Sequence, residues 1–114
     1  MYQEDLSTFS DGLLRVRGRF IHDLEEKRRR LVQLRFQAQD DRQSLPASKE
    51  IGQICHKIAG TAATLGFPTL GEHALAIDDA VDQKAAEISM PSHKLLLTVD
   101  TLVSEIERIQ ATAT

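Results

Sequence analysis

Apolar residues recur every three or four positions in four separate runs of this chain. That is the spacing of one face of an α-helix. The first run covers about Leu13 to Gln37, with Leu13, Val16, Phe20, Leu24, Leu31 and Leu34 as its predicted buried stripe. Ahead of it there is room for a short extra N-terminal helix around Asp5 to Ser10. The polar string AQDDRQS breaks the pattern. A second helix is predicted to begin near Ser44 or Pro46, because serine caps helix starts well and proline fits a first turn. It is predicted to stop at Gly66, since glycine readily takes the left-handed conformation just past a helix end. Ile51, Ile54, Ile58, Ala62 and Leu65 form its stripe, with Cys55 at the edge.

A third run opens at Phe67-Pro68 and carries Leu70, Ala74, Ile77 and Val81. A fourth opens near Met90-Pro91 and carries Leu95, Val99, Leu102, Ile106 and Ile109. Its alternation of four- and three-residue steps is the seam of a helix packed nearly antiparallel to its neighbours. With short connections, the four runs predict an all-α domain, an antiparallel up-down four-helix bundle spanning 1–114. No strand pattern, repeat or low-complexity tract interrupts it.

Composition narrows the picture. The chain has 114 residues, few aromatics and no tryptophan. Its core must therefore be aliphatic, and it is long enough to bury one without metals or disulfides. The formal net charge of −3 gives no reason to expect a nucleic-acid partner. A single cysteine excludes an internal disulfide and fits a reducing compartment. The N-terminus has neither the basic nor the apolar region of a signal peptide, and no apolar run reaches the roughly 18 residues of a membrane span. The expectation is a cytoplasmic protein with no membrane partner.

The candidate chemistry lies in CHKIAGTAATLG, Cys55 to Gly66. Successive helical residues turn by about 100°, which puts His56 opposite the stripe of Ile54 and Ile58. The residues predicted to share its face are Lys49, Gly52, Gln53, Ala59, Gly60 and Ala63. Most are small, so the imidazole should stand above a low floor. Glycines inside a helix cost about 1 kcal/mol each relative to alanine, and close approach by another molecule is a physical reason to bear that cost.

Other candidates read as structure. EEKRRR places Glu25-Arg29 and Glu26-Arg30 as i,i+4 pairs on a solvated face. Asp78, Asp79 and Asp82 match no metal-ligand spacing and lie on the polar flank of the third helix. Cys55 and His56 diverge too far around the helix to act as a nucleophile pair. His22, His73 and His93 are most simply surface residues. There is no phosphate-cradling glycine motif, so neither an intrinsic cofactor nor kinase activity is expected.

His56, Ile58, Gly60, Ala62, Leu65 and Gly66 together resemble the signature of histidine-containing phosphotransfer (HPt) domains. The following FPTLGEHA resembles the entry to the next helix in that family, and the helix order fits residues 13–110. The resemblance implies a phosphorelay intermediate. His56 would accept a phosphoryl group from a receiver-domain aspartyl-phosphate and pass it to another receiver Asp. The partners would be the receivers of a hybrid histidine kinase or a response regulator, and the receiver would supply Mg²⁺. Gln53, Lys57, Ala59 and Gly60 would neighbour the phosphoryl group; Lys49, Gly52 and Ala63 would meet the partner. The chain departs from the signature at the third position after the histidine, where the family usually has lysine and this chain has Ala59. Two other readings stay open: a helical adaptor whose histidine is never phosphorylated, and a helical oligomerisation module packing through Gly52, Gly60 and Ala63.

Overall fold

The computed structural model describes residues 9–81 and 92–113. They form four helices: α1 (Asp11–Gln37), α2 (Ser44–Ala62), α3 (Pro68–Ala80) and α4 (Ser92–Thr112). Each helix packs on its neighbours in the ring α1–α2–α3–α4–α1. Pairings across the seams fix the directions. Arg17 meets Leu65 while Arg30 meets Glu50, so α1 and α2 are antiparallel. Arg28 meets Glu107 while Arg35 meets Asp100, so α1 and α4 are too. Gly71 approaches Ala62 and Ala63 while Asp78 meets His56, which makes α2 and α3 antiparallel. The result is the predicted up-down bundle, 47 × 25 × 24 Å.

The α4 stripe of Leu95, Val99, Leu102, Ile106 and Ile109 is buried throughout. So are Leu70, Ala74, Ile77 and Val81 of the third run. The α1 stripe needs correction. Leu24, Leu31 and Leu34 are buried and Leu13 and Phe20 are packed at the core's edge, but Val16 is 54 % exposed. Arg17 is buried in its place: its Nε donates to the Leu65 carbonyl at 3.0 Å and its guanidinium lies 4.4 Å over the Phe67 ring. Phe20 stacks on the same ring. In α2, Ile54 is only partly buried, whereas Cys55 is fully buried rather than at the edge.

The ends of α2 also differ from expectation. Ser44 is the first helical residue, not the cap; Gln43 holds the cap position without a side-chain hydrogen bond. The helix ends at Ala62 and the chain then turns through residues 63–66. The Phe67 N–H closes this turn on the Ala62 carbonyl at 2.9 Å. Gly66 has φ of +92°, and an added Cβ would stand 3.1 Å from the Phe9 ring. A left-handed conformation costs a non-glycine residue about 1–2 kcal/mol, so Gly66→Ala is expected to lower stability by at least about 1 kcal/mol, measured by urea unfolding.

Ser10 caps α1, accepting from the Leu13 N–H at 3.1 Å. The expected extra turn around Asp5 otherwise lies outside the described residues, as does the Met90-Pro91 start of the fourth run. On the surface of α1, Glu25 pairs chiefly with Arg28, and only at 3.5 Å with Arg29. The Arg28 guanidinium holds the Glu25 carboxyl well below its usual range, at about 2. Arg30 leaves Glu26 aside and reaches across to Glu50 of α2. Of these, only the Arg30–Glu50 pair links two helices, and all three pairs are largely solvated, where such bonds contribute little. No helix among the described residues is long and apolar enough to cross a membrane.

Candidate functional site

His56 lies on α2 one turn and a half before its C-terminal end. The core stripe beneath it forces the ring outward: Ile51, Ile58 and Ala62 are fully buried, while the imidazole is 73 % exposed. The predicted orientation therefore holds. The ring is exposed but not unattended. Its Nδ1 lies 3.0 Å from Oδ2 of Asp78, a carboxylate on α3 whose side chain is only 18 % exposed. A carboxylate only accepts, so Asp78 favours the proton on Nδ1, which in the neutral ring leaves the lone pair on Nε2.

α3 delivers Asp78 because it packs antiparallel along α2. Gly71 has no side chain where α3 crosses Ala62 and Ala63; a Cβ there would be 3.6 Å from each of the Ala62 Cβ and the Ala63 nitrogen. Asp78 sits two turns further along, on the same side of α3. Leu70, Ala74 and Ile77 are buried beside it and fix the helix's rotation.

The surroundings of His56 divide into two flanks. On the α3 flank Cys55 is fully buried, Gly52 is buried and Ala59 is half-buried against the core. Gly52 is thus a correction: it is buried and does not form part of an open floor. On the other flank Gln53, Lys57 and Gly60 are exposed. A Cβ on Gly60 would meet nothing within 4 Å, so this side is open to an approaching partner. Ala63 is exposed and Lys49 half-buried. Beyond Lys57 a groove of about 650 Å³ separates α2 from α1, lined by Lys57 and Ile54 on one wall and by Asp23, Glu26 and Lys27 on the other.

Cys55 does not act as a nucleophile here. Burial, reinforced by the Asp78 carboxylate, pushes its thiol up to about 12, so it stays protonated and inert. His22 and His93 are exposed and His73 is half-buried; none has an aspartate at its ring nitrogen among the described residues. Among the described residues no three His, Cys, Asp or Glu side chains converge as a metal site would require.

A rigid helical bundle that displays one oriented imidazole is a scaffold for chemistry on histidine. The Hpt domain family model matches residues 15–112 of the chain, and the chain belongs to the Hpt domain family. Proteins of this family carry out histidine phosphotransfer in phosphorelays, working with receiver domains. No curated protein and no solved structure matches the chain.

Asp78 is the residue that sequence reasoning missed. In the sequence it is one of three acids, with Asp79 and Asp82, on the polar flank of the third helix. Its distance of 22 residues from His56 carries no signal in a single-helix projection. Only the antiparallel register of α2 and α3 brings the two together.

Proposed function

We propose that His56 is the phosphoryl acceptor and donor of this domain. The reading is carried by one observation: His56 is a highly exposed imidazole whose Nδ1 is engaged by a carboxylate. Such a ring offers Nε2 as a nucleophile with no proton to remove first. In the forward step Nε2 attacks the phosphorus of a receiver's aspartyl-phosphate. The new N–P bond forms as the P–O bond to the aspartate breaks, and the aspartate leaves as a carboxylate. The return step reverses this on another receiver. Phosphoryl transfer depends mainly on positioning and charge neutralisation. The receiver brings the acidic pocket and Mg²⁺; this domain brings a nucleophile fixed on a rigid helix. No ATP chemistry of its own is part of this reading.

Gln53, Lys57 and Gly60 lie where the receiver's pocket descends, and Ala63 and Lys49 where its rim rests. Ala59 borders the α3 side. Gly52, being buried, is left out of the contact. That also removes one of the three small residues the oligomerisation reading relied on.

Incubation with a phosphorylated receiver and Mg²⁺ tests the proposal. Acid-labile, base-stable label is expected on this domain. If no receiver in a broad panel transfers label, the chain is an adaptor of the same fold. Ala63→Arg tests the docking face separately. A substitution at an exposed position changes stability by within about 0.5 kcal/mol, yet a long side chain now blocks the approach. Transfer is expected to slow about tenfold or more, an effect of about 1.4 kcal/mol on the barrier, with the unfolding midpoint nearly unchanged. Wild-type rates would place the receiver elsewhere.

A further inference from the structure

Phe36, near the end of α1, is the most exposed large apolar side chain among the described residues, at 76 %. Helical spacing sets it on one outward strip of α1 with Gly18, His22, Glu25, Arg29 and Val32. The strip borders α4, since the Gln110 side chain donates to Glu25 across the seam. At one end it projects: Val32 is exposed beside Phe36. At the other end it is hollow. A concavity of about 380 Å³ is lined by Gly18, Ile21, His22 and Glu25 of α1 and by Gln110 and Ala113 of α4. An added Cβ on Gly18 would meet nothing within 4 Å, so the glycine leaves this space open.

A knob and a hollow at opposite ends of one helix face cannot meet within a chain. They can meet between two copies, because a two-fold interface uses the same patch on both molecules. The strip advances in alternating steps of four and three residues that read the same in either direction. Two α1 helices laid antiparallel with Phe36 over Gly18 of the second copy therefore bring every strip position onto another. Val32 faces His22 of the second copy, and Arg29 faces Glu25 of the second copy. Knob meets hollow and cation meets carboxylate. Arg29 is available for this pairing. Glu25 is held chiefly by Arg28 at 2.7 Å, while Arg29, 71 % exposed, reaches it only at 3.5 Å.

We propose that the α1–α4 face docks a second copy of this chain in an antiparallel two-fold dimer, with Phe36 of each copy seated in the Gly18 hollow of the other. An aromatic side chain buries ~150–250 Å² in such a site, and the symmetry supplies it twice. One helix face with two anchors falls at the low end of specific interfaces, at or below about 1,200 Å². The dimer therefore forms in the micromolar range, with a Kd of about 1–100 μM. His56 and Asp78 lie on the α2–α3 side, across the ring of helices, so both imidazoles stay exposed in the dimer. The proposal is independent of the phosphotransfer reading. It uses neither Gly52 nor Gly60 nor Ala63.

Sedimentation equilibrium of the whole chain, from well below to well above that Kd, tests it. A reversible monomer–dimer equilibrium is expected. Phe36→Ala should weaken association at least tenfold, because both anchors are lost at once. Gly18→Leu should do the same by filling the hollow, with melting unchanged or raised, since leucine favours helix over glycine. Arg29→Glu should weaken association several-fold at low salt and less at high salt, because it sets carboxylates against each other. The register is tested by mixing. Phe36→Ala keeps the hollow and Gly18→Leu keeps the knob, so an equimolar mixture restores one of the two contacts. The mixture should associate more strongly than either variant alone. A wild-type chain that stays monomeric throughout overturns the proposal. A wild-type dimer that Phe36→Ala and Gly18→Leu leave unchanged overturns the assigned face. A mixture that associates no better than its components overturns the pairing of Phe36 with Gly18.

Discussion

His56→Gln is expected to abolish phosphorylation while leaving the fold intact. Glutamine keeps a polar side chain of similar length at a 73 % exposed position, and substitutions at such positions change stability by within about 0.5 kcal/mol. Its amide nitrogen has no available lone pair, so no N–P bond can form. Incubated with a phosphorylated receiver, the variant should carry no acid-labile, base-stable label and should keep the wild-type helical signal and unfolding midpoint. The loss should be complete, because no other described histidine shares the arrangement at His56. His22 and His93 are exposed without an aspartate at the ring, and His73 is half-buried. Label on one of these in the variant would move the site.

The contrast between His56 and Asp78 marks what a sequence can disclose. The direction of His56 follows from its own helix, because a five-residue apolar stripe leaves one outward side. The α4 stripe was legible for the same reason. Properties set by a neighbouring helix were not. Gly52 belongs to the His56 face of an isolated α2, but it is buried in the folded domain. Val16 fits the period of α1, yet near that end of the bundle the Arg17 guanidinium fills the space, held by the Leu65 carbonyl and the Phe67 ring. Arginine can do this because its stem is apolar and its head planar. Arg30 had a partner at the favoured spacing on its own helix and bonds instead with Glu50 across the seam. Each departure arises where contact between helices outweighs a preference within one.

The same division of α2 into two sides sets the second large effect. Ile58 is two residues from His56 and fully buried on the opposite face. Ile58→Ala removes three carbons from a packed site and leaves a cavity, which costs about 2–5 kcal/mol. A domain of this size holds about 5–15 kcal/mol in total, so a large part of its stability would go. At roughly 4–8 °C per kcal/mol for a domain near 100 residues, the melting midpoint should fall by about 10 °C or more. The chemistry should respond differently. α2 is held by neighbours along its whole buried side, including Ile51, Cys55 and Ala62, and Asp78 is fixed by α3's own buried residues. Molecules that remain folded therefore keep the His56–Asp78 pair. Well below the new midpoint, Ile58→Ala should accept label to the wild-type extent; as the temperature approaches that midpoint, labelling should fall in step with the helical signal. His56→Gln gives the opposite pair of results, normal melting and no label. If Ile58→Ala lost labelling while still fully folded, packing under the histidine would be setting the ring's position, and the independence of the two faces of α2 would be wrong.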